Sequence, residues 1–267
     1  MSLYNNSILA GERDGGDVSG DTSGCICVPA VRIYRDGTEP VREEICLLRE
    51  QSLQVFVNGQ PVMKMVCTPS DVEELVMGRL FSEGLLPEVM NSAVWDTVDL
   101  KIQQQDEPGE HDKPEAQEMQ DEELPAVPSL QWNPEWMWKL ADRACEESAL
   151  RRRTHAIHGA LLMRAGEIIY ETEDISRHNA IDKAIGYALK NRIPMGECIL
   201  YTTGRMPLDM VKKAIRAGIP VMAGRKMPTG ESLALAEKKN LTLIGRLRPD
   251  GMVICSSAIP YFLDSDS

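Results

Sequence analysis

The sequence predicts an α/β protein in which a small α+β lobe precedes a three-layer α/β core. Short β-branched runs alternate with amphipathic segments in the second half, which is typical of a covered parallel or mixed sheet. The first half carries a hairpin signal and one helix. With 267 residues, 43% of them hydrophobic, the chain can form one or two domains with a substantial core. We predict a flexible tail at residues 1–24, the lobe at 25–100, an acidic mobile insertion at 101–131 and the core at 132–267.

The lobe is predicted to contain a small antiparallel sheet and a helix. Apolar and polar residues alternate over residues 27–34 and 44–66, and Asn58-Gly59 is a dipeptide that strongly favours a hairpin turn. Residues 70–73 have the pattern of a capping box at a helix start, and Gly84 is expected to end that helix. The predicted buried stripe consists of Val72, Leu75, Val76 and Leu80.

The segment that follows is strongly acidic. Residues 101–150 contain 13 acidic and 4 basic residues, and the first half of this stretch has almost no apolar side chain to bury. It is therefore expected to be a solubilising spacer, with a substrate lid as the alternative. Asn133-Pro134 then predicts the start of a helix that runs to about residue 150. Trp132, Trp136 and Leu140 recur at helical spacing and are expected to pack on the core.

The core elements are predicted in an alternating order. Residues 154–163 and 167–173 form a hairpin around Ala165-Gly166, and a helix begins at about His178. The remaining elements are a strand at 198–201, a helix at 207–217, a strand at 219–223, a helix at 229–239 and a hairpin of 241–247 with 252–255.

Charge is distributed unevenly, although the net charge is -12. Residues 151–255 contain 18 basic and 10 acidic residues, so this part is basic. Two strand-to-helix loops within it combine glycine with fixed positive charge, through Gly204 and Arg205 in one and Arg225 and Lys226 in the other. Such loops line the crevice of an α/β sheet and suit a phosphate or pyrophosphate. The alternative is that they are ordinary helix caps with solvated basic residues.

A third loop opens the helix near residue 178. Arg177, His178, Asn179 and Lys183 could orient a ligand or move a proton, and a network of caps and ion pairs explains them equally well. His155 and His158 would point to opposite faces of the strand predicted at 154–163. No metal site is therefore predicted.

The seven cysteines are dispersed and odd in number, so reduced thiols are expected. None has an obviously activating context. Cys25 and Cys27 end the tail, and Cys145 has Glu146 and Glu147 beside it, which disfavours a thiolate. The chain has no apolar run of about 18 residues and its first residues have no signal-peptide pattern. We therefore expect a cytoplasmic protein.

Several segments, in order and spacing, resemble the formate dehydrogenase accessory protein FdhD family. The strongest is Arg177-His178-Asn179-Ala180-Ile181-Asp182-Lys183; the others are Val57-Asn58-Gly59, Thr68-Pro69, Glu74-Leu75-Val76-Met77-Gly78, Glu83-Gly84, Thr154-His155-Ala156, Gly204-Arg205, Ala217-Gly218-Ile219-Pro220 and Leu241-Thr242-Leu243-Ile244-Gly245. The resemblance covers about 230 residues. It implies a cytidine-deaminase-like core and a homodimer.

The resemblance also implies a function. Members of this family are sulfurtransferases that carry persulfide sulfur from a cysteine desulfurase to the molybdenum bis-molybdopterin guanine dinucleotide cofactor of formate dehydrogenase. Neither nucleic acid nor a membrane is expected as a partner. The family's cofactor contact implies a further binding segment, Arg246, Leu247, Arg248, Pro249, Asp250 and Gly251.

One departure from the family affects the expected chemistry. Its sulfur-transferring members have a Cys-x-x-Cys pair in a loop before the Thr-His segment, whereas residues 100–130 here contain no cysteine. The catalytic residues are therefore left unassigned. The alternative function is a non-catalytic carrier or regulator that kept the anion site. A zinc-dependent deaminase is disfavoured because it too needs a Cys-x-x-Cys pair.

Overall fold

A mixed six-stranded sheet lies at the centre of the structure, a computed structural model that describes residues 24–85, 100–105, 123–146 and 148–256. The predicted tail lies outside these residues except for Gly24. The lobe contains β1 Cys25–Arg32, β2 Val41–Leu48, β3 Gln51–Val57, β4 Gln60–Cys67, α1 Val72–Ser82 and β5 Leu100–Gln105. The core contains α2 Pro134–Cys145, α3 Ala149–Thr154, β6 His158–Arg164, β7 Glu167–Asp174, α4 Arg177–Lys190, β8 Cys198–Thr202, α5 Leu208–Arg216, β9 Val221–Gly224, α6 Gly230–Lys238, β10 Thr242–Arg248 and β11 Gly251–Ser256.

The central sheet has the strand order β11-β10-β9-β8-β6-β7, with β8, β9 and β10 parallel and the hairpins at both edges antiparallel. Both faces are covered. In β8, Cys198 and Leu200 pack into the cluster with α4, α5 and α6, while Ile199 and Tyr201 pack into the cluster with α2. This confirms a mixed α/β architecture. The cytidine-deaminase-like layering that the resemblance implies stays a prediction.

The lobe contains two small sheets, where the sequence predicted one. β1 pairs with β2, and β3 lies between β4 and β5. The hairpin at Asn58-Gly59 is confirmed, since both residues have positive φ, 50° and 76°, as the tightest hairpin turn requires. Because β5 begins at Leu100, the segment expected to be a mobile insertion starts with a strand of the lobe.

The other end of that acidic segment also packs on the fold. Leu124 and Val127 are buried, the Val127 amide donates to the Lys239 carbonyl, and Lys239 Nζ donates to the Leu124 carbonyl. Of the predicted insertion at 101–131, residues 106–122 lie outside the described residues, so the predictions of a spacer or a lid now concern these residues alone.

Helix α1 begins differently from the prediction. No capping box forms, because Asp71 takes a left-handed conformation and its carboxylate accepts a hydrogen bond from Thr172 Oγ1 at 2.9 Å. The predicted end is confirmed. Gly84 has φ of 70°, and the Leu85 amide donates to the Leu80 carbonyl. This type of helix C-terminus favours glycine.

The helix predicted from Asn133 to about residue 150 is two helices. Asn133 caps α2 as predicted, but α2 ends at Cys145, and Ser148 caps the short α3 by accepting from the Arg151 amide at 3.0 Å. Helix α3 then occupies the start of the predicted strand 154–163, so β6 begins only at His158. His155 ends α3 with φ of 52°.

The expectation that all cysteines are reduced does not hold in the structure. Cys27 and Cys46 face each other on β1 and β2 and form a disulfide, and Cys25 and Cys27 lie in a strand rather than in the tail. The other five cysteines are not in a disulfide: Cys25, Cys67, Cys145, Cys198 and Cys255. None of the helices in the described part of the chain is both long and apolar enough to cross a membrane.

Candidate functional site

A cavity of about 530 Å³ opens at the carboxyl ends of the parallel strands. This is the edge of an α/β sheet at which ligands generally bind. It is lined by Cys145, Arg151, His155, Ile157, His158, Tyr201, Thr203, Arg225, Lys226, Leu247, Arg248, Pro249 and Asp250. Its volume lies within the range of about 300–1,000 Å³ that is usual for small-molecule sites.

Each wall of the cavity comes from the end of an element. Tyr201 and Thr203 lie at the end of β8, Arg225 follows β9, and Arg248 ends β10. Thr203 Oγ1 accepts from the Gly159 amide at 2.9 Å, and the Arg225 amide donates to the Thr202 carbonyl, so the loops are tied to neighbouring strands. Cys145 at the end of α2, Arg151 of α3 and His155 after α3 complete the lining.

The cavity is strongly cationic. Four side chains carry fixed positive charge (Arg151, Arg225, Lys226 and Arg248), and the one carboxylate in its lining is Asp250. Burial, reinforced by Arg177 and Arg151, lowers the pKa of His158, and burial raises the pKa of Tyr201 to about 12. At neutral pH His158 is therefore a neutral imidazole and Tyr201 a phenol. Both can hydrogen-bond a ligand whose charge the guanidinium groups attract.

The structure brings together six of the residues proposed from the sequence: Arg225, Lys226, Leu247, Arg248, Pro249 and Asp250. The other residues proposed from the two strand-to-helix loops and from the segment 246–251 lie outside this lining. Arg205 and Arg246 are exposed, Gly251 begins β11, and Gly204 packs against the Arg177 side chain. The two loops thus contribute unequally, because the loop after β9 points basic side chains into the cavity while the loop after β8 contributes Thr203.

The side chains of Asn179 and Lys183 bind other parts of the protein. Lys183 is fully buried, 2.7 Å from an Asp174 oxygen, and also donates to Thr68 Oγ1 and the Glu173 carbonyl, both at 2.9 Å. Asn179 Nδ2 bonds Asp174 at 2.9 Å and the Val66 carbonyl at 2.8 Å. These side chains join the lobe to the core, and neither lines the cavity. This matches the alternative of a structural network.

Arg177 and His178 lie at the start of α4, also outside the cavity lining. Arg177 is close enough to His158 to lower its pKa, and its Nε is buried with no hydrogen-bond partner among the described atoms. His178 Nδ1 lies 3.5 Å from an Asp209 oxygen. Burial nevertheless lowers the pKa of His178 to about 4, because loss of solvation outweighs the attraction of that carboxylate.

This shift predicts a pH dependence of stability. The pKa of about 4 in the folded state lies below the ordinary 6.5, so the unfolded chain takes up the proton first as the pH falls. The contribution of His178 to stability is present above pH 6.5 and is lost as the pH falls towards 4. Between pH 7 and pH 5 we expect the wild type to lose about 1–2 kcal/mol more unfolding free energy than His178→Gln. Urea unfolding at both pH values measures this, and parallel losses would contradict it.

Sequence reasoning missed most of the wall formed by α2 and α3. His155 and His158 line the same cavity, contrary to the prediction, because His155 is in the turn after α3 and not in a strand. The three consecutive arginines at residues 151–153, next to this histidine pair, were the sequence signal that could have indicated this wall. Among the described residues, no group of three or more histidine, cysteine or acidic side chains could hold a metal ion.

The fold and the cavity define an α/β protein with a cation-lined site at the carboxyl ends of its parallel strands. The chain belongs to the FdhD/NarQ family, whose profile matches residues 48–259. It is 31% identical to the sulfur carrier protein FdhD of Streptomyces coelicolor over 262 residues, covering 84% of this chain and 91% of that protein.

Two further proteins are similar to this chain. The sulfur carrier protein FdhD of Halalkalibacterium halodurans is 29% identical over 236 residues, covering 80% of this chain and 87% of that protein. The crystal structure of a candidate formate dehydrogenase accessory protein from Desulfotalea psychrophila has a TM-score of 0.67 at 24% identity, covering 86% of this chain and 96% of that chain. The last comparison shows that the fold is shared.

Proposed function

We propose that this protein supports the maturation of formate dehydrogenase by binding the molybdenum bis-molybdopterin guanine dinucleotide cofactor as cargo and delivering sulfur to it from a cysteine desulfurase. The family of sulfur carrier proteins supports the maturation role. The observation that carries cofactor binding is the cavity, where four fixed cations face a volume suited to a nucleotide. The proposal includes a cytoplasmic location, a homodimer, and formate dehydrogenase and the desulfurase as partners.

The lining suits one guanine nucleotide arm of this cargo. Arginine can bind the oxygens of a diphosphate in a fork, and Arg225 and Arg248 approach the cavity from neighbouring strands. Tyr201 and Thr203 add hydrogen-bonding groups. The buried Nε of Arg177 has no partner among the described atoms, and Arg177 lies close enough to His158 of the lining to lower its pKa. The cavity volume is too small to enclose the whole bis-dinucleotide, so the molybdenum end would extend from its mouth.

Calorimetry with GDP tests the binding site. Loss of a charge-assisted hydrogen bond costs about 1.5–3 kcal/mol, so Arg225→Gln and Arg248→Gln should each weaken GDP about 10-fold or more. Added salt should weaken the wild type as well, since phosphate contacts to exposed charges are screened. Arg164→Gln is the matched control, because Arg164 pairs with Glu197 at the opposite end of β6 and β8. No heat with the wild type, or an equal loss in the control, would refute the site.

A non-catalytic carrier is the second candidate function. The observation that favours it is the absence of cysteine from residues 100–130, where sulfur-transferring relatives have their reactive pair. The two candidates differ in one measurement. After incubation with a cysteine desulfurase and cysteine, a sulfur carrier shows a protein persulfide by mass spectrometry, whereas a carrier of the cofactor alone binds GDP and shows none.

A further inference from the structure

The hairpin of β1 and β2 holds a pair of cysteines outside the cavity. Cys27 and Cys46 are direct partners in the strand register, with Cα atoms 4.2 Å apart, and they form the disulfide of the structure. Cys27 is exposed and Cys46 half-buried, so the pair lies at the surface of the described part of the chain. In proteins that work inside the cell, a disulfide of this kind is usually catalytic or redox-sensing rather than structural.

A positive charge lies against both sulfurs. Arg153 Nη2 lies 3.2 Å from Cys27 Sγ and 3.2 Å from Cys46 Sγ. In the reduced pair, a guanidinium at this position stabilises negative charge on either sulfur, whether the sulfur is a thiolate or a persulfide anion. Thiolates are the nucleophiles of cysteine chemistry, and an adjacent arginine is one of the features that favour them.

The helix that carries Arg153 also lines the cavity. Arg151 lies on the cavity wall, and successive residues of an α-helix are about 100° apart, so residues 151 and 153 project from nearly opposite sides of α3. Strand β2 packs against this helix. The cysteine pair and the cavity therefore lie on two sides of one short helix, whose width with side chains is about 10–12 Å.

We infer that Cys27 and Cys46 are the sulfur relay of this chain, in the role that relatives give to a Cys-x-x-Cys loop; this inference rests on the proposed function. The Cys27 thiolate attacks the terminal sulfur of the desulfurase persulfide, forming a Cys27 persulfide and releasing the desulfurase thiol. The Cys46 thiolate then attacks Cys27 Sγ, forming the Cys27–Cys46 disulfide and expelling hydrosulfide. Hydrosulfide replaces an oxo ligand on the molybdenum of the cargo and remains as a sulfido ligand, while the oxygen leaves as water with the proton of hydrosulfide and one proton from solvent. A cellular dithiol reductant restores both thiols.

Two of the other thiols, Cys67 and Cys198, are less suited to this step. Burial raises the pKa of Cys67 to about 12 and that of Cys198 to about 11, which keeps both protonated. Cys145 lies on the cavity wall and is exposed, so it is the competing acceptor that an experiment must exclude.

The test locates the sulfur and measures its use. The reduced full-length protein is incubated with a cysteine desulfurase and cysteine, alkylated and mapped by peptide mass spectrometry. The same variants are expressed in cells that lack their own relative, and formate dehydrogenase activity is measured. We expect the wild type to carry the persulfide on Cys27, Cys46→Ser to accumulate it there, and Cys27→Ser to lose both the persulfide and the activity. Cys255→Ser is the control for loss of a thiol outside the hairpin.

Arg153 gives a second readout that leaves both cysteines in place. Arg153→Gln should slow persulfide formation about 10-fold, as expected when a charged hydrogen bond to the reacting group is lost, whereas Arg152→Gln removes a charge from the same helix with little effect. A persulfide on Cys145 overturns the relay. Full activity of the double variant Cys27→Ser/Cys46→Ser also overturns it and leaves the proposed function intact. If the wild type itself restores no activity, it is the proposed function that fails.

Discussion

Gly186→Ala is expected to destabilise the protein by about 3 kcal/mol or more, at or above the upper end of the usual cost of overpacking. Gly186 lies on α4 where α1 crosses it, and a Cβ atom there would be 1.8 Å from the Glu74 carbonyl oxygen. Gly78 on α1 is in the reciprocal position, where a Cβ atom would be 1.8 Å from the Asp182 carbonyl oxygen. Because the obstacles are backbone atoms, a rotamer change cannot relieve the clash and the helices must separate.

Urea unfolding followed by circular dichroism measures this effect. Gly230→Ala is the matched control, since a Cβ at the first residue of α6 meets nothing within 4 Å and the change should stay within about 0.5 kcal/mol. Gly78→Ala should resemble Gly186→Ala. Equal midpoints for Gly186→Ala and the wild type would mean that the two helices do not cross this closely.

This crossing also explains why a local segment was informative about the whole fold. Gly78 lies within Glu74-Leu75-Val76-Met77-Gly78, one of the segments that carried the family resemblance. Its hydrophobic spacing predicted the helix, because the helix period is a local property of the chain. The need for glycine arises from a second helix more than 100 residues away, and no pattern within the segment reveals it.

The basic residues of the cavity were predictable in part for a similar reason. Arg225 follows a strand that could be recognised from its own residues, and strand ends gather at one edge of a parallel sheet. Arg151 was missed because residues 133–150 read as one helix, while the structure ends α2 at Cys145 and restarts the chain with Ser148 as a cap. Neither proline nor glycine marks that break.

The disulfide could not be predicted from spacing. Cys27 and Cys46 are 19 residues apart, and they meet only because β1 and β2 pair with each other. The sequence suggested that β2 would belong to the sheet of the Asn58-Gly59 hairpin, since residues 44–66 alternate throughout. Strand partners depend on contacts that are distant in sequence, and the alternation of a strand does not specify them.

Lys183→Met is expected to cost about 3–5 kcal/mol of unfolding free energy, the usual effect of breaking a buried ion pair from one side. The Lys183 ammonium and the Asp174 carboxylate lie 2.7 Å apart and both side chains are fully buried. Methionine fills a similar volume but leaves the Asp174 charge without its cation, although Thr68 and Asn179 still donate to that carboxylate. These hydrogen bonds compensate only part of the cost of burying the carboxylate, because neutral donors do not balance its negative charge.

An exposed pair provides the matched control for this substitution. Lys139 Nζ is also 2.7 Å from a carboxylate, that of Glu167, but both side chains are largely in solvent, so Lys139→Met should cost no more than about 1 kcal/mol. The double variant Lys183→Met/Asp174→Asn should lose less unfolding free energy than the sum of the losses of its two single variants. Each single variant leaves one buried charge without its partner, whereas the double variant leaves none. If Lys183→Met were as mild as the control, the buried ion pair would not be a main stabilising contact of this network. The segment at residues 177–183 would then need another explanation. We would return to the first interpretation of the sequence, in which Asn179 and Lys183 bind the cargo directly.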